Sequence, residues 1–172
     1  MIPQIAFFAS VGFGLVAWSV LAALFAWPRL CDRPRADALR PLLVIHAFRF
    51  VGLSFLVPGV VGADLPQAFA RGAAGGDLVA AVLALLALAT QRRRIGTPLA
   101  WAWCAWGSVD LVNAFYQAGT NGLRPSQLGA AYYLPTFVVP MLLVTHVLAL
   151  RILLRPDAAG APIRPAAARS SS

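Results

Sequence analysis

Five long apolar runs, at residues 5–27, 41–62, 72–90, 98–118 and 128–150, leave a chain of 172 residues little room for anything else. A helical run of about 20 apolar residues matches the thickness of a bilayer's hydrocarbon core. The runs therefore predict an all-α integral membrane bundle of about five transmembrane helices, forming one domain over residues 1–155. The remainder, 156–172, is rich in Pro, Ala, Ser and Arg and is expected to be a disordered cytoplasmic tail. With 60% hydrophobic and 12% charged residues, the chain carries more apolar surface than one soluble core of this size can hide. The third run is the marginal one: its purely apolar part, 78–90, is too short to span unless the Gly and Ala residues before Asp77 are included.

Charge sets the direction of the spans. All 14 basic residues other than histidine are arginines. Four lie between the first two runs, three follow the third run and four follow the fifth, so eleven share one side; the opposite side receives only Arg71 and Arg124. Basic loops stay in the cytoplasm. The N-terminus is thus expected outside, the C-terminus in the cytoplasm, and the net charge of +8 is a matter of topology rather than of nucleic-acid binding. Residues 1–4 carry no basic side chain, so the first run reads as a retained helix rather than a signal peptide. Ser10 and Gly14, one turn apart, suit close helix packing, and Pro58, Pro135 and Pro140 predict kinks or breaks. Cys31 and Cys104 are too few and too far apart in kind to frame disulfides.

An ionisable side chain in hydrocarbon is expensive unless paired or solvated, so the few inside the runs carry most of the information. They are His46, Arg49, Asp77, Asp110 and His146. At about 1.5 Å per residue, Arg49 lies some 13 Å into the second run and Asp110 some 19 Å into the fourth, within reach of a long arginine. An Arg49–Asp110 ion pair is expected, with Asp77, near the outer end of the third run, as the competing partner. Trp103, Trp106, Asp110, Asn113 and Gln117 recur at intervals of three and four and form one stripe, suited to the bundle interior and to a ligand. The candidate ligand-binding residues are Arg49, Asp77, Trp106, Asp110 and Asn113; a buried pair that merely fixes packing is the plainer alternative.

His46 and His146 sit at similar depth near the cytoplasmic side. Two facing imidazoles are what a b-type haem takes as axial ligands, and Cys104, at comparable depth, would complete a three-ligand metal site. Neither glutamate nor lysine occurs, nor a phosphate-binding glycine loop, nor a Cys-x-x-Cys pair, and Ser10, Ser19, Ser54 and Ser108 lack a nucleophile context. No catalytic residue is assigned. The first expectation is binding, or assisting transport of, a small molecule or proton through the polar cluster. A bis-histidine haem protein in electron transfer is the second, and a structural subunit of a membrane complex the third. Five spans without a visible internal repeat are few for a complete transporter, so lipids aside, a homo-oligomer or a partner membrane subunit is expected.

Phe48, Arg49, Gly52 and Phe55, then Leu65, Pro66, Phe69 and Ala70, then Gly75, Gly76 and Asp77, with Val109, Asp110 and Leu111 further on, form a pattern. In this the middle half of the chain resembles a group of small, uncharacterised multi-pass membrane proteins of bacteria. The resemblance implies a bacterial cytoplasmic membrane and no activity, and the two histidines are not part of it.

Overall fold

The computed structural model describes residues 2–156; the expected tail, from 157 onward, lies outside the described residues. Six helices and no strand account for the described chain. Five are long: α1 (Pro3–Leu30), α2 (Arg35–Leu56), α3 (Gln67–Thr90), α4 (Gly96–Thr120) and α5 (Leu134–Leu153). A short 3-10 helix, Pro125–Tyr132, precedes α5. α1, α2, α3 and α5 are long and apolar enough to cross a membrane. At 25 residues α4 has the length, about 37 Å. Asp110, Asn113 and Gln117 make it less apolar.

Successive helices run up and down, as the contacts between loops show. At one end Arg155 donates to the carbonyls of Leu30 (3.3 Å) and Cys31 (2.7 Å) and lies over the Trp27 ring, while Gln91 donates to Ala36 O at 3.1 Å. The arginine-rich segments therefore share this end. At the other end residues 57–66 meet the stretch before α5: Gly62 N donates to Gln127 O and Ala130 N to Val60 O, both at 2.8 Å. Val60 O approaches so closely that residue 129 must be glycine, at φ +52°.

Local sequence explains the irregular turns. Pro28 and Pro140 cannot donate to the carbonyl four residues back, and a π-turn precedes each, at Ala22–Ala26 and Leu134–Val138. Pro58 does not kink a helix; α2 has already ended at Leu56. The third helix starts at Gln67, earlier than its apolar run suggests, because Pro66 occupies the N-cap and residues 67–77 continue the helix through Arg71 and the small residues.

Ala70, Ala74, Gly76, Ala80, Ala84 and Ala87 form the buried face of α3, and the lack of bulk there lets α2 and α4 approach it closely. Two apolar clusters result. Leu42, Leu43, Ala84, Trp103 and Ile152 centre the one at the arginine-rich end, and Phe55, Leu65, Phe69 and Leu128 the one at the arginine-poor end. α1 seats chiefly on α5. Gly14 lies against Thr136 O and the Pro140 ring, Trp18 donates to Phe137 O at 3.2 Å, and the Ser10 and Tyr132 hydroxyls are 3.3 Å apart. The outward side of α1 exposes Ile5, Phe13 and Val16.

Candidate functional site

Between the two apolar clusters sits Arg49, 1% exposed. Its placement follows from the last stretch of α2, Phe48–Leu56, which is 3-10 rather than α. At three residues per turn, positions three apart eclipse one another, so Arg49, Gly52 and Phe55 all point inward. Runs of 3-10 helix are normally three or four residues long, and nine is exceptional.

The guanidinium is held from three sides. Nε and Nη2 both reach Oδ1 of Asp77 at 2.7 Å, Nη2 reaches Oδ2 of Asp110 at 2.6 Å, and Nη1 donates to Gly107 O at 3.3 Å. Both carboxylates thus share one arginine, where a single Arg49–Asp110 pair with Asp77 competing was expected. Asp77 participates fully because the early start of α3 places it ten residues inside the helix. Each charged group occupies space left by a glycine on the facing helix. A Cβ on Gly52 would strike the Asp77 carboxylate, one on Gly76 the Asp110 carboxylate, and one on Gly107 both Arg49 and His146.

With both carboxylates ionised, one guanidinium leaves one negative charge in excess. The exposed atoms match it: the Arg49 side chain has 0% exposure, Asp77 19% and Asp110 12%. They face a cavity of about 340 Å³ that extends toward the arginine-poor end, walled by Phe7, Phe55, Phe69, Phe115, Leu128 and Leu142. An apolar chamber closed by a few convergent polar groups is the usual form of a small-molecule site.

The other stripe residues of α4 divide by angle. Trp103 is fully buried, Asp110 and Gln117 are half-buried, and Trp106 and Asn113 lie at the stripe's edge and are exposed. Trp106 still donates through Nε1 to Gly76 O at 3.3 Å, bracing the helix pair behind Asp110. Asn113 joins neither the arginine nor the cavity. Spacing alone left unseen the three glycines and the cavity wall from α1 and α5. The signal for Gly76 and Gly107 was their position, next to Asp77 and one turn before Asp110.

His46 and His146 do meet, beyond Arg49 on the arginine-rich side, with ring centroids 4.2 Å apart and Trp103 packed against both. A haem liganded by both imidazoles must lie between them, and rings in van der Waals contact leave no room for the macrocycle. Cys104 does not complete a metal site: no group of three His, Cys, Asp or Glu side chains able to hold an ion exists among the described residues.

A family model described as Domain of unknown function (DUF8737) matches residues 6–154. No curated protein and no solved structure matches the chain. Seven of the residues that carried the resemblance drawn from sequence converge in space: Arg49, Gly52, Gly76, Asp77 and Asp110 form the charged cluster, and Phe55 and Phe69 the wall beside it.

Proposed function

The chain belongs to the DUF8737 family, a domain of unknown function, and we propose that it binds a small organic cation with an apolar body inside a membrane. The observation that carries this reading is the pairing of the apolar cavity with a cluster one carboxylate richer than its arginine. An apolar body fills the aromatic chamber, and a positive head supplies the missing charge where low dielectric makes it worth most. The protein crosses the bacterial cytoplasmic membrane five times, with its N-terminus outside and the arginine-rich end in the cytoplasm. α4 completes the five spans, the charge of Asp110 being offset by Arg49 inside the bundle.

Asn113 supports a further element of the reading. It is exposed about seven residues from the end of α4. An amide facing lipid seeks a hydrogen-bonding helix, so a second copy or a partner subunit covers this face, and assisted movement of the ligand across the membrane requires it.

Benzyltrimethylammonium, its neutral carbon isostere and benzoate, titrated into protein held in lipid nanodiscs, test the proposal. The cation is expected to bind at least about tenfold more tightly than the isostere, and Asp110→Asn to erase that preference. Equal binding of all three, or preference for benzoate, overturns it.

A further inference from the structure

We propose that the arginine-rich end of the protein holds one anionic glycerophospholipid, its acyl chain in a groove between α1 and α2 and its phosphate on Arg29 and Arg33. The inference rests on the reading that the chain spans a membrane, and not on the cation cavity, which extends toward the opposite end. α1 seats chiefly on α5, and its second half stands off from α2. The groove left between them, about 290 Å³, has Met141 and Val144 of α5 as its floor, Trp18 and Ala22 of α1 on one side, and Leu42 and Ile45 of α2 on the other. The polar groups within it are already partnered: Trp18 Nε1 donates to Phe137 O at 3.2 Å, and the Thr145 hydroxyl donates to Met141 O at 2.8 Å. The groove therefore suits an apolar occupant. From Trp18 to Arg29, which both line it, α1 advances about 16 Å, close to the hydrocarbon depth of one leaflet.

At the mouth of the groove the chemistry changes. Arg29 and Arg33 enter the lining there, and a second hollow, about 440 Å³, shares Arg33 and Pro41 with it and is completed by Asp37 and Arg40. Three arginines against one aspartate leave two positive charges in surplus. Arg29 donates through Nη1 to Phe25 O at 2.9 Å, which draws its guanidinium one turn back along α1, toward the membrane. Arg33 and Arg40 make no ion pair or side-chain hydrogen bond among the described residues. The positive end of the α2 dipole, at Arg35, adds to the field at this mouth. One molecule matches both hollows: a chain of leaflet length that ends in a phosphate. A water-soluble phosphate lacks the chain, and a headgroup bearing its own cation cancels the charge that the surplus arginines attract.

The test is native mass spectrometry of the full chain released from nanodiscs of equal parts phosphatidylglycerol and phosphatidylcholine with identical acyl chains. The wild type is expected to retain phosphatidylglycerol over phosphatidylcholine by at least about fivefold, the effect of one arginine at an anionic surface. Arg29→Gln combined with Arg33→Gln is expected to bring the ratio close to one. Arg92→Gln combined with Arg93→Gln, at the same end but outside both hollows, is expected to leave it unchanged. Ile45→Trp, which fills the groove, is expected to lose most of the retained phosphatidylglycerol. Equal retention of the two lipids by the wild type overturns this inference and leaves the cation reading standing, whereas a chain that does not enter nanodiscs overturns the membrane reading as well. An equal fall in both arginine pairs means general surface charge rather than a site, and unchanged retention in Ile45→Trp takes the acyl chain out of the groove; either result overturns the proposal.

Discussion

Gly75 and Gly76 stand side by side on α3 and differ in what a methyl group would meet. A Cβ on Gly75 has open space within 4 Å, whereas one on Gly76 runs into the Asp110 carboxylate. Gly75→Ala is therefore expected to stabilise the protein by about 0.5–1 kcal/mol, through helix propensity alone. Gly76→Ala is expected to destabilise it by about 1–3 kcal/mol, by driving Asp110 off Arg49. Thermal unfolding in one detergent measures both, and equal effects would mean that the carboxylate does not occupy that space. Arg49→Ala, which strands two carboxylates, is expected to cost more, about 3–5 kcal/mol. At this scale the charged residues were legible before the fold was known, because hydrocarbon makes each of them conspicuous. The glycines were not: their use depends on which residue of the neighbouring helix they face, and Gly75 and Gly76 look identical in sequence.

Helices α1 and α5 meet along a seam set by Gly14 against Thr136 and Pro140 and by Ser10 against Tyr132. Cysteines placed at positions 10 and 132, in a chain lacking Cys31 and Cys104, are expected to be joined by a short bifunctional maleimide, since the tyrosine hydroxyl that meets Ser10 ends a side chain longer than cysteine's. Adding Gly14→Val should abolish the cross-link, since the branched side chain has no space against a backbone carbonyl; persistence of the cross-link would show that the seam lies elsewhere. Ser10 and Gly14 announced such a seam in sequence, and the prolines announced irregular turns. The conversion of the end of α2 to 3-10 helix was hidden. Phe48–Leu56 has an unexceptional apolar composition, and only the demand that Arg49, Gly52 and Phe55 share one face selects three residues per turn.

For the molecule as a whole, most of the arginines gather at one end and the loops bearing Asp64 and Gln127 at the other. In spheroplasts, a cysteine at Arg93 is expected to resist a membrane-impermeant maleimide and one at Asn121 to react; the reverse pattern would invert the proposed orientation. A cysteine at Asn113 is expected to cross-link to its copy or partner within the bilayer, and a monomer under all mild conditions would remove that role for α4. An all-helical chain with helices long and apolar enough to cross a membrane could be read from apolar length, while the cavity arises from five helices at once and leaves no mark on any one run. Gln4, Phe7 and Phe8 of α1 form part of its wall, and α1 is seated chiefly on α5. For the proposed ligand, arrival past such a helix means arrival from the acyl chains, so its occupancy is expected to follow its concentration dissolved in lipid. Partitioning then multiplies the apparent aqueous affinity: each methylene added to a ligand's tail, at about 0.8 kcal/mol, lowers the half-saturating aqueous concentration roughly fourfold, even where that methylene never touches the protein.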